Sequence, residues 1–244
     1  MRIVAFNGSP RAEQSNTHVM VASFLAGAED AGADTENIFL SNYSIRHCLG
    51  CFGCWLKTPG TCVQSDDMEE LIKKYLSADI VIFATPLYID NVSGIMKNFM
   101  DRLIPMGDPH FEKDPHGEVR HVSGEKKNPK FVMMANSGFP EQTHFQVLRL
   151  LAQRLARNFD TELAGEIYRG GGSLLQEEEL KPWIDAYKMQ LRKAGWEVVK
   201  EGKISPETTF RLELPLIPAP EYVDMFIKNA NLYMDRMIEI NRKG

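Results

Sequence analysis

Two groups of residues in this chain have types and spacings suited to chemistry. In the first, Asn7-Gly8-Ser9-Pro10-Arg11 is followed closely by Ser15-Asn16-Thr17. One glycine, several hydroxyls, a guanidinium and a helix start are the parts that hold a phosphate. Gly8 lets the backbone turn and approach an anion, and unpaired amides at a helix start point towards it. Ser9, Ser15 and Thr17 can donate hydrogen bonds, and Arg11 can supply charge. The spacing lacks both the Gly-Lys-Ser/Thr ending of an NTPase loop and the three spaced glycines of a dinucleotide fold. An ordinary polar strand-to-helix loop is the competing reading.

In the second group, Cys48-x-x-Cys51-x-x-Cys54 is completed by Cys62, and these are all the cysteines of the chain. In a reducing compartment such clustering suggests a metal or redox role ahead of structural disulfides. Cysteines three apart can wrap successive corners of a [4Fe–4S] cubane, with the fourth returning after the Thr58-Pro59-Gly60 turn. Two alternatives stay open. One is free thiols or a redox disulfide without metal. The other is zinc, although structural zinc more often takes two separated cysteine pairs. His110, His116 and His121 have no tight ligand spacing and predict no metal site.

The elements that must position these groups follow from apolar periodicity. Strands are expected over residues 2–6, 35–40, 79–84, 130–135 and 161–168, and helices over 16–32, 66–77, 93–103, 142–158 and 177–194. The run Asp79-Ile80-Val81-Ile82-Phe83-Ala84 is nearly continuous in apolar residues, as in a parallel strand covered on both faces. Strands alternating with helices at this spacing predict an α/β, doubly wound parallel sheet of five strands in the order 2-1-3-4-5. In that order the winding reverses between strands one and three, so the loop after residue 6 and the Thr85-Pro86-Leu87-Tyr88 loop face one crevice. Residues 105–128 are polar and aperiodic and read as a long structureless insertion. Residues 1–196 form the main domain, and 197–244 a C-terminal helical extension. In the extension, 208–214 reads as a possible strand and Pro215-x-x-Pro218-x-Pro220 as a stiff connector. A last helix from Glu221 carries Tyr222, Met225, Phe226, Ala230, Tyr233 and Met237 as an apolar stripe for core packing, a lid or a subunit contact.

These motifs together resemble the flavodoxin-like NAD(P)H-dependent FMN oxidoreductases. The resemblance rests on Gly8-Ser9-Pro10-Arg11, Ser15-Asn16-Thr17, Thr85-Pro86-Leu87-Tyr88 and Lys97-Asn98-Phe99-Met100-Asp101-Arg102, in order over roughly residues 1–170. The cysteine spacing is similar to the iron–sulfur flavoprotein branch. The resemblance implies an FMN phosphate held by Ser9, Arg11, Ser15, Asn16 and Thr17. It implies isoalloxazine contacts from Pro86, Leu87, Tyr88 and Asn91, with Asn136, Ser137 and Gly138 at the ring's other edge. It also implies a [4Fe–4S] cluster on Cys48, Cys51, Cys54 and Cys62, NAD(P)H as donor, and a homodimer or homotetramer. Asp101 and Arg102 read as an ion pair of structural purpose.

Bulk properties exclude several functions. The net charge of −5 is interspersed, which argues against nucleic acid or a membrane surface as partner. No stretch is long and apolar enough to span a bilayer, and the start reads as a strand with no export signal, so a cytoplasmic location is expected. Two function classes remain. One is an enzyme passing electrons from NAD(P)H through FMN to a small acceptor such as a quinone. The other is an electron carrier between proteins, for example with a ferredoxin-like partner.

Overall fold

The computed structural model describes residues 1–122, 128–217 and 222–242. Five parallel strands form the central sheet: β1 (Arg2–Asn7), β2 (Asp34–Phe39), β3 (Ile80–Pro86), β6 (Lys130–Asn136) and β7 (Leu163–Arg169). Their order is β2-β1-β3-β6-β7, which is the expected 2-1-3-4-5 winding once a small hairpin, β4 (Phe111–Lys113) with β5 (Val119–His121), is set apart. Alternation along each strand feeds two cores, because successive side chains leave opposite faces. Ile3, Ala5, Ile80, Ile82, Val132 and Met134 enter one core, and Val4, Phe6, Val81, Phe83, Phe131 and Met133 enter the other. All twelve are at most 3% exposed, so the sheet is covered on both sides, at about 1.5–3 kcal/mol per large apolar side chain.

The helices follow as α1 (Asn16–Asp30), α2 (Gly53–Leu56), α3 (Met68–Ser77), α4 (Gly94–Asp101), α5 (Gln146–Asn158), α6 (Lys181–Glu201), α7 (Pro206–Glu213) and α8 (Tyr222–Arg242). α1 and α6 cover the first core and α3, α4 and α5 the second. α1 and α6 cross at two glycines. A Cβ on Gly27 would lie 1.9 Å from the Arg192 carbonyl oxygen, and one on Gly195 would lie 2.0 Å from that of Phe24. The two backbones therefore touch directly.

Three expectations need correction. Residues 208–214 form helix α7, not a strand. Thr208 and Leu212, four apart, are buried, while Phe210 is 65% exposed, so the inward face repeats at helical spacing. The start carries the signal: Ser205 accepts the Thr208 N–H and Pro206 takes the first turn. α6 continues to Glu201, past the end expected at residue 194. Its buried Glu197 accepts from the Ser205 N–H and from the hydroxyls of Ser205 and Thr208, which joins α6 to α7. Burial alone would raise the Glu197 carboxyl, but those hydrogen bonds hold it below its usual range.

The insertion expected to be structureless contains the β4–β5 hairpin. Arg157 grips Asp114 at 2.8 Å and Glu118 at 2.9 Å, Arg154 holds Glu118 at 2.9 Å, and Arg120 reaches Asp160 at 2.6 Å. Residues 123–127 of that insertion, and Pro218, Pro220 and Glu221 of the expected connector and final helix, lie outside the described residues. α8 is a helix as expected, yet its apolar residues are not core. Met225, Ile227, Leu232, Tyr233, Met234 and Ile240 are each half or more exposed.

Candidate functional site at the carboxyl edge of the sheet

The loops that leave β1, β3 and β6 meet at the carboxyl edge of the sheet. Gly8 is pinned there from both sides. Its N–H donates to the Ala84 carbonyl at 2.8 Å, and its own carbonyl accepts from the Ser93 hydroxyl at 2.6 Å. A Cβ at Gly8 would meet Met96 Cβ at 2.7 Å, so no side chain fits between this loop and α4. Ser9 is 2% exposed, its N–H donates to Asn7 Oδ1, and its hydroxyl oxygen accepts from the Arg11 N–H. Ser15 caps α1: its hydroxyl accepts from the His18 N–H and donates to the Ala12 carbonyl. That hydroxyl's hydrogen is therefore committed within the loop. The amides of Asn16 and Thr17 open the helix, where no carbonyl four residues earlier serves them. Thr17, 1% exposed, accepts from Asn136 Nδ2 at 2.8 Å through Oγ1, and its own hydroxyl hydrogen is not used in that bond. The Asn7 side-chain nitrogen is buried at this edge without a partner among the described residues.

The second loop is a tight turn. Tyr88 and Asn91 exchange backbone hydrogen bonds at 2.9 and 3.1 Å, with Ile89 and Asp90 both at positive φ between them. Leu87 donates its N–H to the Asn136 carbonyl, joining this turn to the third loop. Tyr88 is 47% exposed, so it is not a buried sheet-end aromatic. In the third loop, Ser137 donates its N–H to the Arg169 carbonyl and its carbonyl accepts from Gly172. Gly138 and Phe139 are exposed beyond it. A cleft of about 750 Å³ brings Arg11, Asn16 and Gly138 together with Leu174 and the Tyr222, Phe226 and Tyr233 side of α8. Pro86, Leu87, Tyr88 and Asn91 lie on the neighbouring turn and do not line that cleft. The involvement of α8 had no signal in the sequence beyond its apolar stripe.

The cysteine loop lies at the other end of α4. Cys48, Cys51, Cys54 and Cys62 line one small cavity with Asp101, Arg102 and Ile104. Phe52, in the left-handed region, turns the chain into α2, and the Thr58–Thr61 turn returns it so that Cys62 faces the other three. No disulfide joins them. Burial pushes the Cys54 thiol up, and its cysteine neighbours, Cys62 first, push it further; a bound cation would reverse that balance. Among the described residues, no three histidine, cysteine or carboxylate side chains close around a single ion. Asp101 and Arg102 do not pair with each other. Asp101 takes Lys97, while Arg102 makes a bidentate bridge to Asp66 at 2.6 and 2.9 Å. His110 pairs with Asp108, and His121 packs against Trp55 and Phe111.

Fold and edge together define a doubly wound protein of the flavodoxin-like class. A profile of the NADPH-dependent FMN reductase family matches residues 1–126, more than half of the 244, and the chain belongs to that family. An iron–sulfur flavoprotein from Archaeoglobus fulgidus is 34% identical over 151 residues, 62% of each chain. This chain spans less than two thirds of the length of the curated relatives it matches. Among solved structures, an NAD(P)H:quinone oxidoreductase from Methanothermobacter marburgensis superposes with a TM-score of 0.57. It has 16% identity, and the match covers 81% of this chain and 96% of that one. An FMN-dependent NADH-azoreductase from Bacillus anthracis, in complex with FMN, gives 0.58 at 14% identity over 82% and 99%. At these identities the structural matches speak for the fold. Among the described residues, no helix is long and apolar enough to cross a membrane.

Proposed function

We propose that the protein is an FMN-dependent oxidoreductase that takes electrons from NAD(P)H and delivers them to a small acceptor such as a quinone. The observation that carries this reading is the edge around Gly8. There Gly8 packs against Met96 and Ser93 with no room for a side chain, the amides of Asn16 and Thr17 open α1 with no carbonyl four residues earlier to serve them, and Arg11 and Asn16 line the adjoining cleft. That donor set fits a phosphate monoester. When bound, FMN supplies hydride acceptance and onward electron delivery. The chain's own work is to bind and orient. Ser9, Arg11, Asn16 and Thr17 hold the phosphate end, with Ser15 shaping the loop around it. Pro86, Leu87, Tyr88 and Asn91 border the ring on one side, and Asn136, Ser137 and Gly138 on the other. No side chain at this edge is assigned an acid or base role.

Arg11 tests the phosphate assignment. It is exposed and its guanidinium donates only to the Gln14 carbonyl among the described residues, so it contributes little to folding. In an FMN titration, Arg11→Ala is expected to weaken binding roughly tenfold or more, the value of a charge-assisted hydrogen bond, at an unchanged melting temperature. An unchanged FMN affinity would remove Arg11 from the site.

The four cysteines line one cavity, and four thiolates are the ligand set of a [4Fe–4S] cubane as well as of tetrahedral zinc. Tetrahedral zinc draws its sulfurs to roughly 3.8 Å from one another, and a cubane spaces them more widely. Anaerobic purification followed by absorption spectroscopy and iron and sulfide assays decides this. Flavin bands with a broad shoulder and about four irons per chain are expected. Flavin bands with no iron would leave the cysteines as thiols. A second reading, an electron relay between proteins such as a ferredoxin-like partner, draws on the apolar rim of the same loop, where Leu49, Phe52 and Leu56 are 69%, 49% and 79% exposed. Turnover of NAD(P)H with an artificial acceptor favours the enzyme, and reduction by a protein donor alone favours the relay. The exposed apolar residues of α8 support homo-oligomerisation.

A further inference from the structure

α8 runs for 21 residues and none of them is buried, whereas α6, of the same length, buries Ile184, Leu191 and Val198 among others. A helix in water owes most of its stability to a packed apolar face. α8 has such a face. At about 100° per residue, its side chains from Tyr222 and Ile240 round to Ile238 fill an apolar sector of about 160°, interrupted only by Asn241. Lys228, Asp235 and Glu239 stand on the opposite side. One edge of the sector serves the cleft, which Tyr222, Phe226, Ala230 and Tyr233 line. The other edge does not. Val223, Ile227, Met234 and Ile238 do not line the cleft and are 37%, 51%, 53% and 44% exposed. From residue 231 to 242 every position is exposed, so the second half of the helix is in water on most sides.

The spacing and the charges say what covers this edge. Val223, Ile227, Ala230, Met234 and Met237 step by four and three residues in turn, the repeat of a helix that packs along another helix. Asp224 in the first turn and Arg242 in the last are about five turns apart, so both lie on the same flank of that seam. A second α8 laid antiparallel about a twofold axis near Tyr233 brings each Asp224 to the partner subunit's Arg242, and symmetry makes the pair twice. The same register brings Ile227 to the partner subunit's Ile240. A parallel pair would set like charges against each other at both ends. An anionic lipid surface is a poorer match, because the polar side of α8 carries both signs of charge rather than a basic face.

We propose that two copies of this chain pair through an antiparallel α8–α8 contact, and that this contact holds the aromatic wall of the cleft in place. The pairing supplies the surface for the homo-oligomerisation read from α8 above, on which it rests, and it does not depend on what the cleft binds.

Sedimentation equilibrium of the full chain as purified tests the contact, with a particle of twice the 27.7 kDa chain mass expected. Ile227→Lys with Met234→Lys changes two exposed positions outside the cleft. It is expected to raise the dissociation constant roughly a hundredfold or more at an unchanged melting temperature of the sheet domain. Asp224→Arg alone weakens pairing about fivefold, and Asp224→Arg with Arg242→Asp restores it. Trypsin should cut after Lys228 and Arg236 slowly in the parent and quickly in the lysine variant. A parent larger than a dimer that the lysine variant halves also supports the contact. A parent that sediments as one chain overturns the proposal together with the oligomeric reading. Undiminished association of the lysine variant overturns the proposal alone, because the copies then meet through another surface. A charge swap that fails to restore pairing overturns the antiparallel register, and equal trypsin cleavage overturns the hold on the cleft wall.

Discussion

Asp66→Asn is expected to cost about 3–5 kcal/mol of folding free energy at neutral pH, the usual penalty for leaving one partner of a buried ion pair alone. The side chains of Arg102 and Asp66 are 1% and 3% exposed, and two guanidinium nitrogens engage both carboxylate oxygens. Arg102 also donates to the Arg46 carbonyl, and Asp66 accepts from the N–H groups of Arg46 and Met68. The pair thus nails the chain before the cysteine loop to the start of α3 and the end of α4. The effect has a signature in pH. Burial by itself would raise the Asp66 carboxyl, but the hydrogen bonds from Arg102 and from the two amides outweigh it and hold it below its ordinary value. A carboxyl lowered in the folded state contributes stability that is complete above its unfolded value of about 3.9 and is lost as pH falls through the folded one. The amide that replaces the carboxyl in the variant does not titrate. The gap between parent and variant should therefore be full at neutral pH and close in acid below about pH 4. Urea unfolding at a series of pH values measures both. A gap under about 1 kcal/mol at neutral pH, or one that does not narrow in acid, would show that the bridge is not what holds this junction.

Gly195→Ala is expected to destabilise by about 2–3 kcal/mol, against the helix propensity of the residues exchanged. Alanine is the better helix former by about 1 kcal/mol, so an exposed position would gain. Here the new methyl would overlap the Phe24 carbonyl oxygen and crowd the Ala28 nitrogen at 2.9 Å. Both are backbone atoms of α1 and have no rotamer to move to. The helices must separate, and Phe24, Ala28, Leu191 and Val198, all 0% exposed, lose packing together. Gly27→Ala meets the Arg192 backbone in the same way and should behave alike. Because both substitutions force one gap, the double variant should cost clearly less than the sum of the singles. A raised urea midpoint in either single variant would mean that the two backbones do not pack as closely as described.

Much of this architecture could be read from residue types. Ile80 to Ala84 admits one reading because a strand covered on both faces needs apolar residues at every position. The loop at Gly8 could be placed because a strand, a glycine and a capping serine occur in that order. Residues 208–214 were not legible as a helix. Phe210, Leu212 and Leu214 alternate like a strand, and so short a segment cannot separate a strand's period from a helix's. Ser205-Pro206 settles the matter, but only when weighed above the alternation. The hairpin was hidden because its strands are three residues each and its anchors are ionic, so no apolar pattern marks them. Arg169 carried no signal at all. A single arginine at a strand end becomes informative only when the surrounding acceptors are known, and these come from the end of α7, as many as 45 positions away.

The attachment of the β4–β5 hairpin has a consequence for how the molecule responds to its solvent. The sheet is held by buried apolar surface, whereas the hairpin is tied to α5 and the turn after it by ion pairs, of which Arg154–Glu118 and Arg120–Asp160 are partly exposed and Arg157–Asp114 is shielded, with the Asp114 side chain 2% exposed. Added salt screens exposed charge pairs, and strongly hydrated salts such as sulfate strengthen apolar burial. One change in the medium therefore pushes the two parts in opposite directions. In concentrated sulfate, with the outer pairs screened and the shielded Arg157–Asp114 pair left as the main ionic anchor, the hairpin is expected to exchange its amides earlier relative to the sheet than in dilute buffer, and hydrogen exchange in the two media checks this.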